Sequence, residues 1–320
     1  MEVSLQKHQL LIFSVFTAVS ILIFQINVVF FLFAVPLFII YSRYGIVYLS
    51  MSVFIVALVV VIQTIIRASG IEGKELRLFL ILAELLYPLA ILAGVLIVSW
   101  FNNRTLYLFL AATIGFALIS FPVLFHYSGN TEIVNLLKDQ IVTVSKMFRD
   151  SVSNTDSFEA AVLLKQMSPE LIVDSTAKLV MRNYLFAYFI MLTSSWYIAD
   201  ILISRASKKK SLRLVNFTIP DVMIWPLIVF LVGVFFDIYI GIPWLGYFFW
   251  NGTFIILFIY GLHGIGLVKF LLNKYNVTKR GRRFFAIFVF AVLLMPGINL
   301  ALLLGVPVLG VSELWIKYRA

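Results

Sequence analysis

WLGYFFWNGTFIILFIYGLHGIGLVKFLLNKYNVTKRGRR, residues 244–283, decides how this chain is read. Its first turns carry Trp244, Tyr247 and Trp250, aromatics that favour the boundary between water and hydrocarbon, with the amide Asn251 just inside. An apolar run of about twenty residues follows, enough for a helix to cross the roughly 30 Å of a bilayer core. The stretch closes on Lys269, Lys274, Lys279, Arg280, Arg282 and Arg283, with no acid among them. Aromatic belt, apolar span and basic stop, in that order, describe a membrane-crossing helix that ends in the cytoplasm.

The rest of the chain repeats the theme. Of its 320 residues 62% are hydrophobic and 12% charged, with a mean hydropathy of +1.04, which excludes a water-soluble globule. Long unbroken apolar runs exclude a β-barrel, whose strands alternate polar and apolar residues. There is no cysteine, so thiolate nucleophiles, thiolate metal sites and disulfides are excluded. The net charge of +10 could suggest a nucleic acid as partner, but the excess basic residues flank apolar runs, where they set topology and face anionic lipid. The expected partner is therefore the lipid bilayer and not nucleic acid.

Hydropathy predicts an all-α, polytopic transmembrane helix bundle of about nine spans, with eight as the alternative. The apolar runs are 10–24, 28–41, 46–66, 78–100, 105–126, 184–203, 222–240, the opening stretch, and 284–304 with a bend at Pro296-Gly297. The first run flows into the second without a small-residue cleavage site, so it reads as a span and not as a signal peptide. This gives a five-helix half at 1–126, an amphipathic helical loop at 127–183 and a four-helix half at 184–320. Within the loop, Ile133, Leu137, Ile141, Val144 and Phe148 recur at helical spacing, and a second helix is expected from Ser168, with Pro169 in first position. In a nine-span count, fourteen Lys and Arg lie on the N-terminal side against five in the short segments opposite. That asymmetry predicts a multi-pass protein of the inner, cytoplasmic membrane with its N-terminus in the cytoplasm, and nine spans put the C-terminus outside.

Ionisable and amide groups inside apolar spans are costly, so they are the first candidates for function. The nine-span topology puts Glu84, Asp237, Asn251 and Asn299 in the outer half of the bundle, where they could line a substrate-binding pocket. The alternative is that each makes its own interhelical hydrogen bond. His263, between glycines, is a candidate proton relay or a packing histidine bonded across helices. Gly261, Gly264 and Gly266, with Ala90-x-x-x-Gly94 and Ala111-x-x-x-Gly115, mark expected close helix contacts. His8, His126 and His263 are too scattered for a metal site, and no motif calls for a cofactor. No phosphate loop, H-E-x-x-H or G-x-S-x-G is present, so neither ATP hydrolysis nor other catalysis is expected.

Several short motifs carry a resemblance. Ile219-Pro220-Asp221 leading into Trp225, the glycine-rich 261–270, Gly310-Val311-Ser312-Glu313-Leu314-Trp315 with Arg319, and Pro36 with Arg43 and Gly45 resemble the YybS-like family of uncharacterised bacterial membrane proteins. Glu313 stands where that family's pattern suggests an aspartate. The helix pattern is also distantly similar to the substrate-binding S components of energy-coupling-factor transporters. That resemblance implies a small-molecule solute and a separate energising ATPase module. The competing expectation is a non-transporting scaffold that recruits envelope or cell-division proteins.

Overall fold

The computed structural model describes residues 2–26, 30–71, 73–101, 105–128, 130–152, 169–207, 214–241, 243–295 and 297–319. Every regular element among them is helical, and the chain divides into two compact units, Met1–Ile203 and Ser204–Ala320.

The first unit holds α1 (Glu2–Phe24), α2 (Ala34–Tyr44), α3 (Ile46–Ala68), α4 (Lys74–Trp100), α5 (Thr105–Ser128), α6 (Thr131–Val152) and most of α7 (Pro169–Ser207). The segment α2 has no polar face in its first seven residues, and Ala34, Val35, Pro36, Leu37, Phe38, Ile39 and Ile40 are accordingly all buried. Gly45, at φ +82°, ends α2 and lets α3 start at the next residue, a turn that a side chain would strain. Hydroxyls tie the first helices together: Thr17 meets Ser52 at 2.8 Å, and Ser20 Oγ donates to the Phe33 carbonyl at 2.6 Å.

Tyrosines fasten α7 to α4 and α5. Tyr188 donates to the Ala90 carbonyl at 2.9 Å and stacks on Phe116 at 4.5 Å, while Tyr87 donates to the Tyr184 carbonyl. Gly94 makes this approach possible, since a Cβ there would lie 2.5 Å from the Tyr188 hydroxyl. Gly115 does not act in the same way: its Cβ would meet nothing within 4 Å, so the Ala111-x-x-x-Gly115 spacing marks no helix contact. The expected loop helix forms as α6, with Ile141 half-buried but Val144 62% exposed. The side chains of Ile133, Leu137 and Phe148 lie outside the described set, as does Ser168. From Pro169 the chain runs as one helix of 39 residues through the charged segment and the expected sixth span, about 58 Å in all.

The second unit begins with an irregular segment at 214–223, then α8 (Ile224–Ile240), α9 (Pro243–Lys274), α10 (Lys279–Leu293) and α11 (Ile298–Ser312). Gly241, in the left-handed region at φ +70°, closes α8 and reverses the chain into α9. The two helices run antiparallel, because a Cβ at Gly233 would strike Phe249 and one at Gly252 would strike Phe230. The other side of α9 is covered by α11. A Cβ at Gly264 would land on the Val306 carbonyl and one at Gly310 on the Tyr260 carbonyl, so these backbones touch and run antiparallel. Gly261 faces Pro307 at an ordinary 3.6 Å. The helix α10 buries nothing: Phe284, Ile287, Phe288 and Phe290 are exposed behind a basic first turn capped by Thr278.

Six helices among the described residues are long and apolar enough to cross a membrane: α3, α4, α5, α7, α8 and α9. Neither nine spans nor eight is supported. The apolar parts of α1 and α2 are Leu10–Phe24 and Phe31–Tyr44, short of the roughly 20 residues a span needs. The expected ninth span is two helices of 15 residues each, broken before Gly297, which takes φ +84°. Fifteen residues reach only about 22 Å. Outward faces are strongly apolar, with Phe54 67% and Leu118 70% exposed, as lipid contact requires.

Candidate functional site

Among its described residues the second unit contains a charged junction built into apolar surroundings. His263 comes from the middle of α9 and Glu313 from the residue that ends α11. Their approach rests on the glycine contacts: Gly264 and Gly310 let the helices touch, and Glu313 follows Gly310 by three residues, or nearly one turn. His263 Nε2 lies 2.6 Å from Glu313 Oε2, and the side chains are 6% and 14% exposed. Arg319, on the tail that turns back after α11, brings Nε to 3.2 Å from Glu313 Oε1. The remaining partner is backbone. The Phe217 carbonyl contacts His263 Nδ1 at 3.0 Å and accepts from Arg319 Nη1 at 3.1 Å.

The junction thus ties together three segments: α9, the end of α11 with its tail, and the irregular segment before α8. Its polar capacity is incompletely used. Glu313 Oε2 and Arg319 Nε sit at ion-pair distance without an aligned hydrogen bond, and Arg319 Nη2 is buried without one. Further along α9, Thr253 Oγ1 and Tyr260 OH are also buried without a hydrogen-bond partner. Thr253, Tyr260 and His263 are 3%, 1% and 5% exposed, and steps of seven and three residues keep them on one face of the helix. Buried polar atoms nearly always find a partner, so these are polar groups with capacity to bond water, an ion or a polar solute.

The residues singled out by sequence fall in both units. Glu84 is exposed on α4 in the first unit. Asp237 accepts from Trp250 Nε1 at 2.8 Å, near the turn between α8 and α9. Asn251 is fully buried beside it in sequence and donates from Nδ2 to the Tyr247 carbonyl of its own helix at 2.7 Å. Asn299 is half-buried at the start of α11. Because α11 runs antiparallel to α9 with Val306 opposite Gly264, Asn299 belongs near the C-terminal end of α9, about 30 Å along the axis from Asn251. Asp237 and Asn251 are therefore neighbours, whereas Asn299 is not with them. His263 does bond across elements, to Glu313 and the Phe217 carbonyl, and neither Glu313 nor Arg319, which contacts both of those partners, is named by sequence as a site residue. A buried histidine and a lone acid followed by arginine in an apolar tail was the available signal.

The Asp237–Trp250 contact makes a local prediction. A Cβ on Gly246 would fall on the Asp237 carboxylate, so this acid is held by shape as well as by the indole. Asp237→Ala should cost about 1–3 kcal/mol by leaving a polar indole N–H without this acceptor. Asp237→Asn, which keeps an acceptor oxygen, should cost less. Thermal unfolding in lipid nanodiscs checks the order, and equal losses would show that the hydrogen bond contributes nothing.

In comparison with known proteins, residues 11–307 match the model of one family, described as Predicted membrane protein (DUF2232). No curated protein and no solved structure matches the chain.

Proposed function

The chain belongs to this family of predicted membrane proteins, and from that premise we propose that it is a non-enzymatic, solute-handling component of a transport system, energised by a gradient or by a separate ATPase partner. The observation that carries the reading is the pair of buried α9 hydroxyls without hydrogen-bond partners, Thr253 and Tyr260, on the face of the helix that carries His263 of the charged junction. Ionisable groups in a membrane bundle are expensive, and their usual use is along a path for substrate or ion. Asp237 and Asn251 lie at one end of the α8–α9 hairpin and the junction lies at the other. Polar groups are thus available from both ends of a single pair of helices.

Six crossings also simplify the topology. Counted along the sequence they return the chain to its starting side, so Lys7, Arg43, Arg205, Lys274 and Lys279–Arg283 share a side with Lys317 and Arg319. Among the described residues, Arg67, Lys74, Arg77, Lys138, Lys146, Lys178 and Arg182 fall on the other side. This distribution supports both termini in the cytoplasm of a cell bounded by a cytoplasmic membrane. It also leaves the junction close to the cytoplasmic end of α8, since Phe217 precedes that helix.

The reading is tested by native mass spectrometry of gently solubilised protein, followed by thermal unfolding with each small molecule found. A bound solute should stabilise the wild type by RT ln(1 + [L]/Kd), about 2.7 kcal/mol at a hundredfold excess over Kd. Thr253→Val should weaken that stabilisation more than it lowers the melting temperature of the free protein. Bound lipid with an attached envelope protein, and no solute, would overturn the transport reading in favour of a scaffold.

A further inference from the structure

The polar contacts of His263 do not balance with a neutral imidazole and a carboxylate ion. A carbonyl oxygen can only accept, so the 3.0 Å contact with Phe217 requires a proton on Nδ1. A carboxylate ion also only accepts, and Nε2 stands 2.6 Å from Glu313 Oε2 at ion-pair distance without an aligned hydrogen bond, so a ring without a proton on Nε2 would set lone pair against lone pair there. A neutral imidazole carries one N–H. Whichever nitrogen holds it, the other presents a lone pair to an oxygen lone pair at close range in a site almost closed to water. One additional proton removes the conflict, either on the ring as imidazolium or on Glu313 as a carboxylic acid donating to Nε2.

We propose that the His263–Glu313 pair is a proton-binding site, and that loading it closes the junction between α9, the 214–220 segment and the C-terminal tail. The proton comes from bulk water and returns there, and no bond other than N–H or O–H changes. The groups facing the pair fit this assignment. Arg319 contacts Glu313 and the same Phe217 carbonyl, so it holds the tail to the acid and to the backbone partner of His263. Tyr260, one turn earlier on α9, and Asp221, on the segment before α8, are the next polar groups in sequence. With the proton bound, the pair has both contacts. As pH rises and the proton leaves, one contact must open, and the longer of the two, at 3.0 Å, is that to the Phe217 carbonyl of the 214–220 segment. The junction is therefore closed at low pH and loosened at high pH. This deepens the transport reading by naming a proton as the loaded ion, and it rests on that reading only for the use made of the proton.

Two measurements on the full chain in nanodiscs test it. The chain has only three histidines, so ring-labelled histidine gives few NMR signals, and His263→Gln assigns the relevant one. Between about pH 5 and about pH 9 the His263 signal should move, and Glu313→Gln, which removes the facing carboxylate, should displace that movement. Hydrogen exchange of 214–220 and 313–319, corrected for intrinsic base catalysis, should accelerate about tenfold across the same transition. His263→Gln should abolish that step. A wild type with no step over this range, or the same step in His263→Gln, overturns the proton site. A step that persists when no solute stabilises the protein leaves the proton site standing and removes the transport reading. Solute stabilisation with a flat pH response does the reverse.

Discussion

Glu313→Ala is expected to lower the stability of the C-terminal unit more than any other single substitution in its polar network, by about 3–5 kcal/mol. Glu313 is the sole acid in the junction of His263, Arg319 and the Phe217 carbonyl, and both basic partners lie within ion-pair distance of it. Removing it leaves the guanidinium of Arg319, a side chain 16% exposed, facing an imidazole with no compensating charge. Arg319→Ala should cost less, because Glu313 then keeps His263 as a partner. Glu313→Gln should fall between, since an amide oxygen still accepts from Arg319. Replacing all three side chains by apolar ones of similar volume, His263→Leu, Glu313→Leu and Arg319→Met together, should recover much of the loss. Buried ion networks bring desolvation costs nearly as large as their attraction, so removing the whole network is cheaper than breaking it. Thermal unfolding in nanodiscs reads the series, where 3–5 kcal/mol corresponds to a fall on the order of 10 °C. If the triple variant is no more stable than Glu313→Ala, the loss comes from shape and not from unpaired charge.

The parts of this arrangement that sequence reveals are local, and the parts it hides are long-range. The stretch 244–283 announces α9 because belt, apolar length and basic stop are all read within one helix. The same local logic found His263 as unusual and Gly264 as a packing residue. It could not join His263 to Glu313, because those residues are fifty positions apart and meet only if α11 lies antiparallel against α9. Hydropathy counts apolar length without seeing a backbone break, so 284–304 looked like a span although Gly297 at φ +84° divides it. That one error moved Asn299 to the wrong end of the helix pair, because its expected level followed from counting crossings. Spacing alone misled at Gly115 for a similar reason. A small residue permits a close approach, but only a neighbour makes one, and at Gly94 the neighbour is Tyr188.

The second large effect is expected at Gly310, where Gly310→Leu should separate α11 from α9. A Cβ at this position would fall on the Tyr260 carbonyl and lie 3.1 Å from the Gly264 nitrogen. Both are backbone atoms of a helix, so no side chain can rotate away to make room. The helices must part, and the cost should exceed the roughly 1–3 kcal/mol usual for overpacking against movable side chains. Gly305→Ala is the control on the same helix: its Cβ would meet nothing within 4 Å, and alanine's helix propensity should make it neutral or stabilising by up to about 1 kcal/mol. The absence of native cysteine gives a direct readout. Gly261→Cys with Pro307→Cys should cross-link under mild oxidation in the parent chain, given 3.6 Å between the Gly261 Cβ position and the Pro307 side chain. Adding Gly310→Leu should abolish the cross-link. Parting the helices also withdraws Glu313 from His263, so Gly310→Leu and Glu313→Ala damage one shared structure. Their combined cost should fall short of the sum by more than 1 kcal/mol, as expected for residues in one network. Full additivity would mean that the glycine contact and the charged junction stand independently, and that the close packing of α9 and α11 does not position the site.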